Sequence, residues 1–245
     1  MTRLVCTLCA LAALARAGTE ASRLLDQAEH LLLNCHLDRA YLNSAAGLIA
    51  AVRAGDADNQ RSLYLSARLK IQQADFASGR SERKDLYRAA QVTAESLKSL
   101  NDEDPRGHFL YGIALGRLGQ LKGILNSLTM LPTLKREFSR ALALDEYCTE
   151  AYEALGMLYL EVPAGVGGDA KRAMEYFQAG LETNPNYTVL RLDLARALVR
   201  LGRKDDAVAQ LDTLLATGEP YPPCDFVLYD RPEAEKLLSR LKGNE

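Results

Sequence analysis

The sequence predicts an all-α fold, a right-handed superhelical stack of about four helical hairpins with a C-terminal capping helix. The first observation behind this is a recurrence of small residues at helix crossings. From Thr149 the chain reads TEAYEALGMLYLEVPAGVGGDAKRAMEYFQAGLETNP, and from Thr188 it reads TVLRLDLARALVRLGRKDDAVAQLDTLLATGEP. Each stretch sets a large apolar residue one place before a small one, Leu155-Gly156 and Leu194-Ala195. A second small residue, Ala173 or Ala207, opens the next helix, and Pro185 or an acidic residue ends it. The small residues let two antiparallel helices approach closely. The second observation is periodicity: helix-period apolar patterns follow one another with short breaks, and no window shows the Val/Ile/Thr alternation of strands. The third is bulk, since 245 residues that are 48% hydrophobic can bury a sizeable core. A hairpin of this kind cannot bury its apolar face alone and must stack on neighbours.

Taken in order, the chain opens with MTRLVCTLCALAALARAG, where Arg3 precedes an apolar run from Leu4 to Ala15 and Ala15-Arg16-Ala17 follows. These are the three parts of a secretory signal, with cleavage expected after Ala17 and a periplasmic or secreted product. The apolar run is too short to span a bilayer, so no membrane span is expected. Neither Cys6 nor Cys9 follows a Leu-small-small pattern, so no lipid anchor is expected. Removing residues 1–17 takes away Arg3 and Arg16, leaving 28 basic and 32 acidic residues and a net charge of −4. The expected organisation is a signal at 1–17, a repeat domain at 18–219, and a linker with a capping helix at 220–245. The clearest repeats are 105–146, 149–185 and 188–220.

Helices are expected near 20–34, 38–53, 59–74, 82–99, 106–122, 133–144, 149–161, 170–183, 188–201, 204–216 and 231–241. Breaks fall at Gly55-Asp56, Leu131-Pro132, Pro163 to Gly168, Asn184-Pro185 and the run Glu219 to Pro223. Asp230 and Glu233 have capping-box spacing and should start the last helix. Two weaker units carry the same marks, one at Ala67 with Ala90 and Leu97, the other at Gly112 with Phe138 and Ala141. Ala40 and Ser44 fit a degenerate first hairpin.

On these residues the chain resembles tetratricopeptide-repeat proteins. The insert Pro163-Ala164-Gly165-Val166-Gly167-Gly168-Asp169 followed by Ala173 is more distinctive than the repeat. It resembles a loop of exported bacterial repeat proteins, of the periplasmic repeat component associated with TRAP-type transporters, and of the animal regulators of microtubule dynamics. The TRAP-associated relatives are typically lipid-anchored, and this chain lacks their lipobox. The resemblance implies a protein that binds other proteins or small ligands and is not an enzyme.

A formal charge of −2 and a pI near 6.0 argue against nucleic-acid binding. No Gly-x-Ser-x-Gly or His-Glu-x-x-His frame is present, so no catalytic residues and no cofactor are expected. His30, Cys35 and His36 share no helical face and lack a completing cluster, so no metal site is expected. The glycines at 165–168 lack the Lys-Ser/Thr of a phosphate loop, and Asp169 at the expected N-cap position would repel an anion. A long turn is the expectation there. Cys35, Cys148 and Cys224 survive processing and are expected to be three separate thiols.

The sharper expectation concerns the concave face, lined by the first helix of each hairpin. The repeat register puts Arg61, Tyr64, Arg68 and Gln72 there, then Arg106, Phe109, Ile113 and Arg117. Glu150, Glu153, Met157 and Glu161 follow, and then Val189, Leu192, Arg196 and Arg200. Six arginines with Tyr64, Phe109 and Met157 suit an acidic peptide or an anionic ligand with an apolar body. The competing expectation is that the arginines pair with Glu150, Glu153 and Glu161. Function is therefore expected to be protein or peptide binding in this Arg-rich groove, on a scaffold of the cell envelope. The alternative is a small-ligand-binding accessory of a solute transporter. Phe226 to Leu241 is expected to cap the last repeat, or else to enter the groove.

Overall fold

The computed structural model describes the backbone of residues 2–243 and the side chains of residues 17–123 and 126–243. Five hairpins follow one another along the described chain. They are α1 (Thr2–Leu33) with α2 (Ala40–Gly55), α3 (Gln60–Phe76) with α4 (Arg80–Leu100), and α5 (Pro105–Lys122) with α6 (Ile124–Leu144). Next come α7 (Thr149–Glu161) with α8 (Ala170–Thr183), and α9 (Thr188–Arg200) with α10 (Lys204–Leu215). A short turn, α11 (Pro223–Asp225), runs through a π-turn at Phe226–Asp230 into α12 (Arg231–Lys242), which packs on α10. The fold is the all-α repeat stack that the sequence predicts.

Local chemistry sets the helix starts. Asn59 accepts the backbone N–H of Ser62, Asp104 accepts that of Arg106, and Asp169 accepts those of Lys171 and Arg172. The helix expected at 133–144 begins instead at Ile124 and carries Pro132 inside it. The chain turns at Gly123, whose φ of 103° suits glycine, and Pro132 then costs α6 a single backbone hydrogen bond. The helix expected at 20–34 is the end of α1, which begins at Thr2. The side chains of the expected signal segment up to Arg16, Cys6 and Cys9 included, lie outside the described residues. Asp230 does precede the last helix but makes no capping bond. It accepts the Thr188 hydroxyl at 2.6 Å instead, which removes the expected capping box.

The small residues do what their spacing implies. A Cβ on Gly112 would run into the Phe138 ring, and one on Gly156 into the fully buried Phe177 ring. In the insert, a Cβ on Gly168 would collide with the Val162 carbonyl, and Asp169 N–H donates to the Tyr159 carbonyl at 2.8 Å. The loop is thus a close backbone crossing, and Asp169 itself occupies the N–H groups that open α8.

A buried polar knot joins the second and third hairpins. Nδ1 of His108 lies 2.8 Å from Oε2 of Glu137, and its Nε2 lies 3.0 Å from the Asp102 carbonyl. Lys98 Nζ sits 2.9 Å from the same carboxylate and Arg136 2.9 Å from its other oxygen. Together these charges hold the Glu137 carboxyl down at about 2 against the cost of its burial.

After α10 the chain turns back towards the start of α9 and the first helices. Tyr221 N–H donates to the Asn186 carbonyl at 2.9 Å, and Thr188 N–H donates to the Tyr221 carbonyl at 3.1 Å. Tyr221-Pro222 is cis. Phe226 joins the core of the last two hairpins, whereas Cys224 and Leu228 join the core of the first three helices. Cys224 is bonded to Cys35, with 5.8 Å between the Cα atoms and 189 residues of separation. This overturns the expectation of three separate thiols: the stack curves far enough to bring a segment beyond the last repeat beside the end of α1. Cys148 alone stays free among the described cysteines, and burial pushes its thiol up to about 12. Residues 220–230 therefore form a strap from the last hairpin to the first, while α12 caps α10.

Candidate functional site

The residues predicted to line the concave face lie on α3, α5, α7 and α9, the first helices of their hairpins. The six arginines among them stand in different states. Arg61 pairs with Asp26 at 2.6 Å and Glu29 at 2.7 Å, both on α1. Arg68 donates to the Tyr64 hydroxyl at 3.0 Å and lies against Tyr221 of the strap. Arg106 forks onto Asp104 at 2.6 Å and covers the Tyr64 ring at 5.2 Å. Arg196 pairs with Asp193 at 2.8 Å and lies 3.6 Å from Glu233 of α12. Arg200 bonds the Leu160 carbonyl and Glu161. Arg117 differs: it is exposed, and among the described residues no carboxylate lies within ion-pair distance.

Arg117 borders a cavity of about 360 Å³ between α5, α6 and α7. Ile113, Met157, Leu131, Leu134, Leu158 and Phe138 line it, and the exposed Arg117, Gln120 and Glu161 supply its polar lining with Glu153. Of the predicted groove residues, the fold gathers Ile113, Arg117 and Met157 here. It gathers Tyr64 and Arg68 around the strap, with Arg61 and Arg106 on the same side of Tyr64's helix pair. Phe109 packs its ring 6.2 Å from Phe138, inside the hydrophobic layer between hairpins. Among the described residues no group of three or more His, Cys, Asp or Glu is placed to hold a metal ion.

Acids that the repeat register passes over matter as much. Asp193 is 1% exposed on α9. Asp225 and Asp230 arrive with the strap. Burial first, then repulsion from Asp193 and Asp230, pushes the Glu153 carboxyl well above the carboxylate range against Arg117. Burial, with repulsion from Asp230 and Glu161, does the same to Asp193 against its Arg196 partner. Burial and Asp230 push Asp225 up to about 6, against the pull of Arg68 and Arg117. Burial also raises Asp230, opposed by the Thr188 hydrogen bond and Arg196.

A raised carboxyl favours the folded state at low pH, and that contribution fades as pH climbs through the folded value. Glu137 acts oppositely, stabilising above about 4.5 and losing its effect as pH falls towards 2. The melting temperature should therefore peak near pH 4 and fall by several degrees by pH 8. Thermal melts across that range test this, and Glu153→Gln should flatten the alkaline side. A melting temperature that rises from pH 5 to pH 8 would refute the assignment.

Among the described residues no helix is long and apolar enough to cross a membrane. No curated protein matches the sequence. A thermophilic tetratricopeptide-repeat protein of Thermus thermophilus has a similar fold, with a TM-score of 0.64 at 16% identity. That match covers 91% of this chain and 97% of the other. PilF of Pseudomonas aeruginosa matches with a TM-score of 0.54 at 17% identity, over 92% of this chain and 95% of its own. At such identities the likeness is one of fold. Residues 167–222 match a tetratricopeptide-repeat family, in line with the predicted repeat. Residues 24–164, more than half of the chain, match the family described as regulator of microtubule dynamics protein 1-3, and to that family the chain belongs.

Proposed function

We propose that the protein is a non-catalytic scaffold that binds a segment of another protein on its concave side. An apolar side chain of that segment fills the α5–α6–α7 cavity, and a neighbouring carboxylate meets Arg117. The observation that carries this reading is the open apolar cavity beside the exposed Arg117, while the other five arginines are engaged within the chain. A guanidinium with free donors beside an apolar pocket recognises a carboxylate by paired hydrogen bonds and the adjoining chain by burial.

A photo-crosslinking residue at Met157 tests the site, with one at the exposed Val92 as control. Crosslinks at Met157 that exceed the control by about tenfold, and that Arg117→Glu abolishes, are expected. Equal yields at both positions would remove the cavity from the site.

A second reading has its own support, because an apolar cavity of this volume suits the body of a small ligand. Native mass spectrometry decides between them, since a retained small molecule lost in Met157→Glu favours the ligand. Export to the periplasm or cell exterior is proposed on the N-terminal signal pattern and is supported by the Cys35–Cys224 bond, which suits an oxidising compartment. A mature N-terminus at Gly18 is expected by intact mass, and a retained Met1 would refute export.

A further inference from the structure

We propose that the concave face is a peptide groove whose resident ligand is the chain's own strap, residues 220–230, latched by Cys35–Cys224. Opening the latch hands the groove to a partner segment of like chemistry: an extended entry with an aromatic residue, then prolines leading into a helical turn with one carboxylate. This rests on the scaffold reading above and names the partner's chemistry and its gate.

The strap sits as a bound peptide sits. Its entry is main-chain pairing, with Tyr221 exchanging backbone hydrogen bonds with Asn186 and Thr188 at 2.9 and 3.1 Å. Tyr221 then lies between Arg68 and the Tyr187 ring, whose centroid is 5.8 Å away. Pro222 is extended at the crossing, Pro223 opens the α11 turn, and the Asp225 carboxylate on that turn enters the field of Arg68 and Arg117. That is the aromatic, proline and carboxylate order a competitor would present.

Three features make the strap displaceable. Both its ends are held by elements outside the groove, α10 before it and α12 after it, and these pack on each other. The middle can therefore lift as a loop while the stack stays folded. Asp230 adds a buried carboxylate to a face that already holds Glu153 and Asp193, and only Arg196 and the Thr188 hydroxyl answer it. A partner lacking that second carboxylate avoids this repulsion. The strap's one covalent tie to the first hairpin is Cys35–Cys224. A dithiol reductant opens it by exchange, gaining a disulfide of its own and leaving both cysteines as thiols.

The test uses full-length protein carrying Cys224→Ser, which leaves Cys35 as a free thiol. The probe is the peptide spanning residues 218–228, its cysteine activated as a thiopyridyl disulfide. The Cys35 thiolate attacks the peptide sulfur, a peptide–Cys35 disulfide forms, and pyridinethiol leaves. Capture at Cys35, located by peptide mass mapping, should run about tenfold faster than with a scrambled peptide. The Asp225→Lys peptide, or Arg68→Ala in the protein, should remove that advantage. Amide exchange in residues 220–230 should quicken about tenfold when the disulfide is absent, with exchange in the central helices α5 and α7 unchanged.

Strap exchange that stays as slow as in the oxidised protein would overturn the latch. A mobile strap with no preference over the scrambled peptide would overturn the groove. If Arg68→Ala fails to fold, the peptide substitution carries the same comparison. Met157 crosslinks that persist in the oxidised protein keep the scaffold reading intact whichever way the latch falls.

Discussion

Replacing Cys35 and Cys224 together by serine should lower the free energy of unfolding by about 3–5 kcal/mol. The bond closes a span of 189 residues, and the loop-entropy relation gives about 5 kcal/mol for a closure of that size. A strap that loosens in the native variant recovers part of the loss, so the lower half of the range is the more direct expectation. Both cysteines are almost fully buried within the apolar core of the first three helices, where serine hydroxyls would be poorly accommodated. Urea titration of the variant against the oxidised parent reads the difference directly. A loss below about 1 kcal/mol would mean that the ends of the stack are held together by packing alone.

Glu137→Ala should cost about 3–5 kcal/mol, the usual penalty for breaking a buried ion pair from one side. Glu137 is 3% exposed, and its carboxylate is the common partner of Lys98, His108 and Arg136. Removing it leaves Lys98, with a side chain only 15% exposed, next to a cavity and without a counter-charge. It also unties α4 and α5 from α6, which carries Glu137. The variant should lose the acid limb of the pH–stability profile, because the depressed carboxyl that produces it is gone. Double substitution with Lys98→Met should recover part of the stability; failure to recover any would mean that the cost lies in packing and not in charge.

The sequence and the fold agree best where the information is local. Helices α7 and α8 start and stop at the expected residues because a capping Asp169, a small residue at each crossing and Asn184-Pro185 are all within a turn of the boundary. The start of α6 is harder to read, because proline usually marks a break, whereas the real turn is the positive-φ Gly123 upstream. The groove shows the same division. Helical register places Arg68, Ile113, Arg117 and Met157 on the concave side, but it says nothing about what else arrives there. Asp26 and Glu29 come from a first hairpin with degenerate repeat marks, and they take Arg61. Asp193 stands next to a counted groove position and is buried against Arg196. Tyr221, Cys224, Asp225 and Asp230 come from beyond the repeats, through contacts whose sequence separation no periodic pattern encodes.

The strap also changes the kind of object the repeat array is. An open solenoid behaves as a line of units coupled to nearest neighbours, and its two end units, each with one neighbour, fray first. Joining the first hairpin to the segment beyond the last gives the line a cyclic boundary, in which no unit is terminal. Fraying of α1 then pulls on the strap and the α9–α10 layer, and fraying of α10 pulls on α1. Mechanical or thermal strain applied at one end is shared by the other, so the oxidised protein should yield as one cooperative body, and the reduced one should peel from its ends.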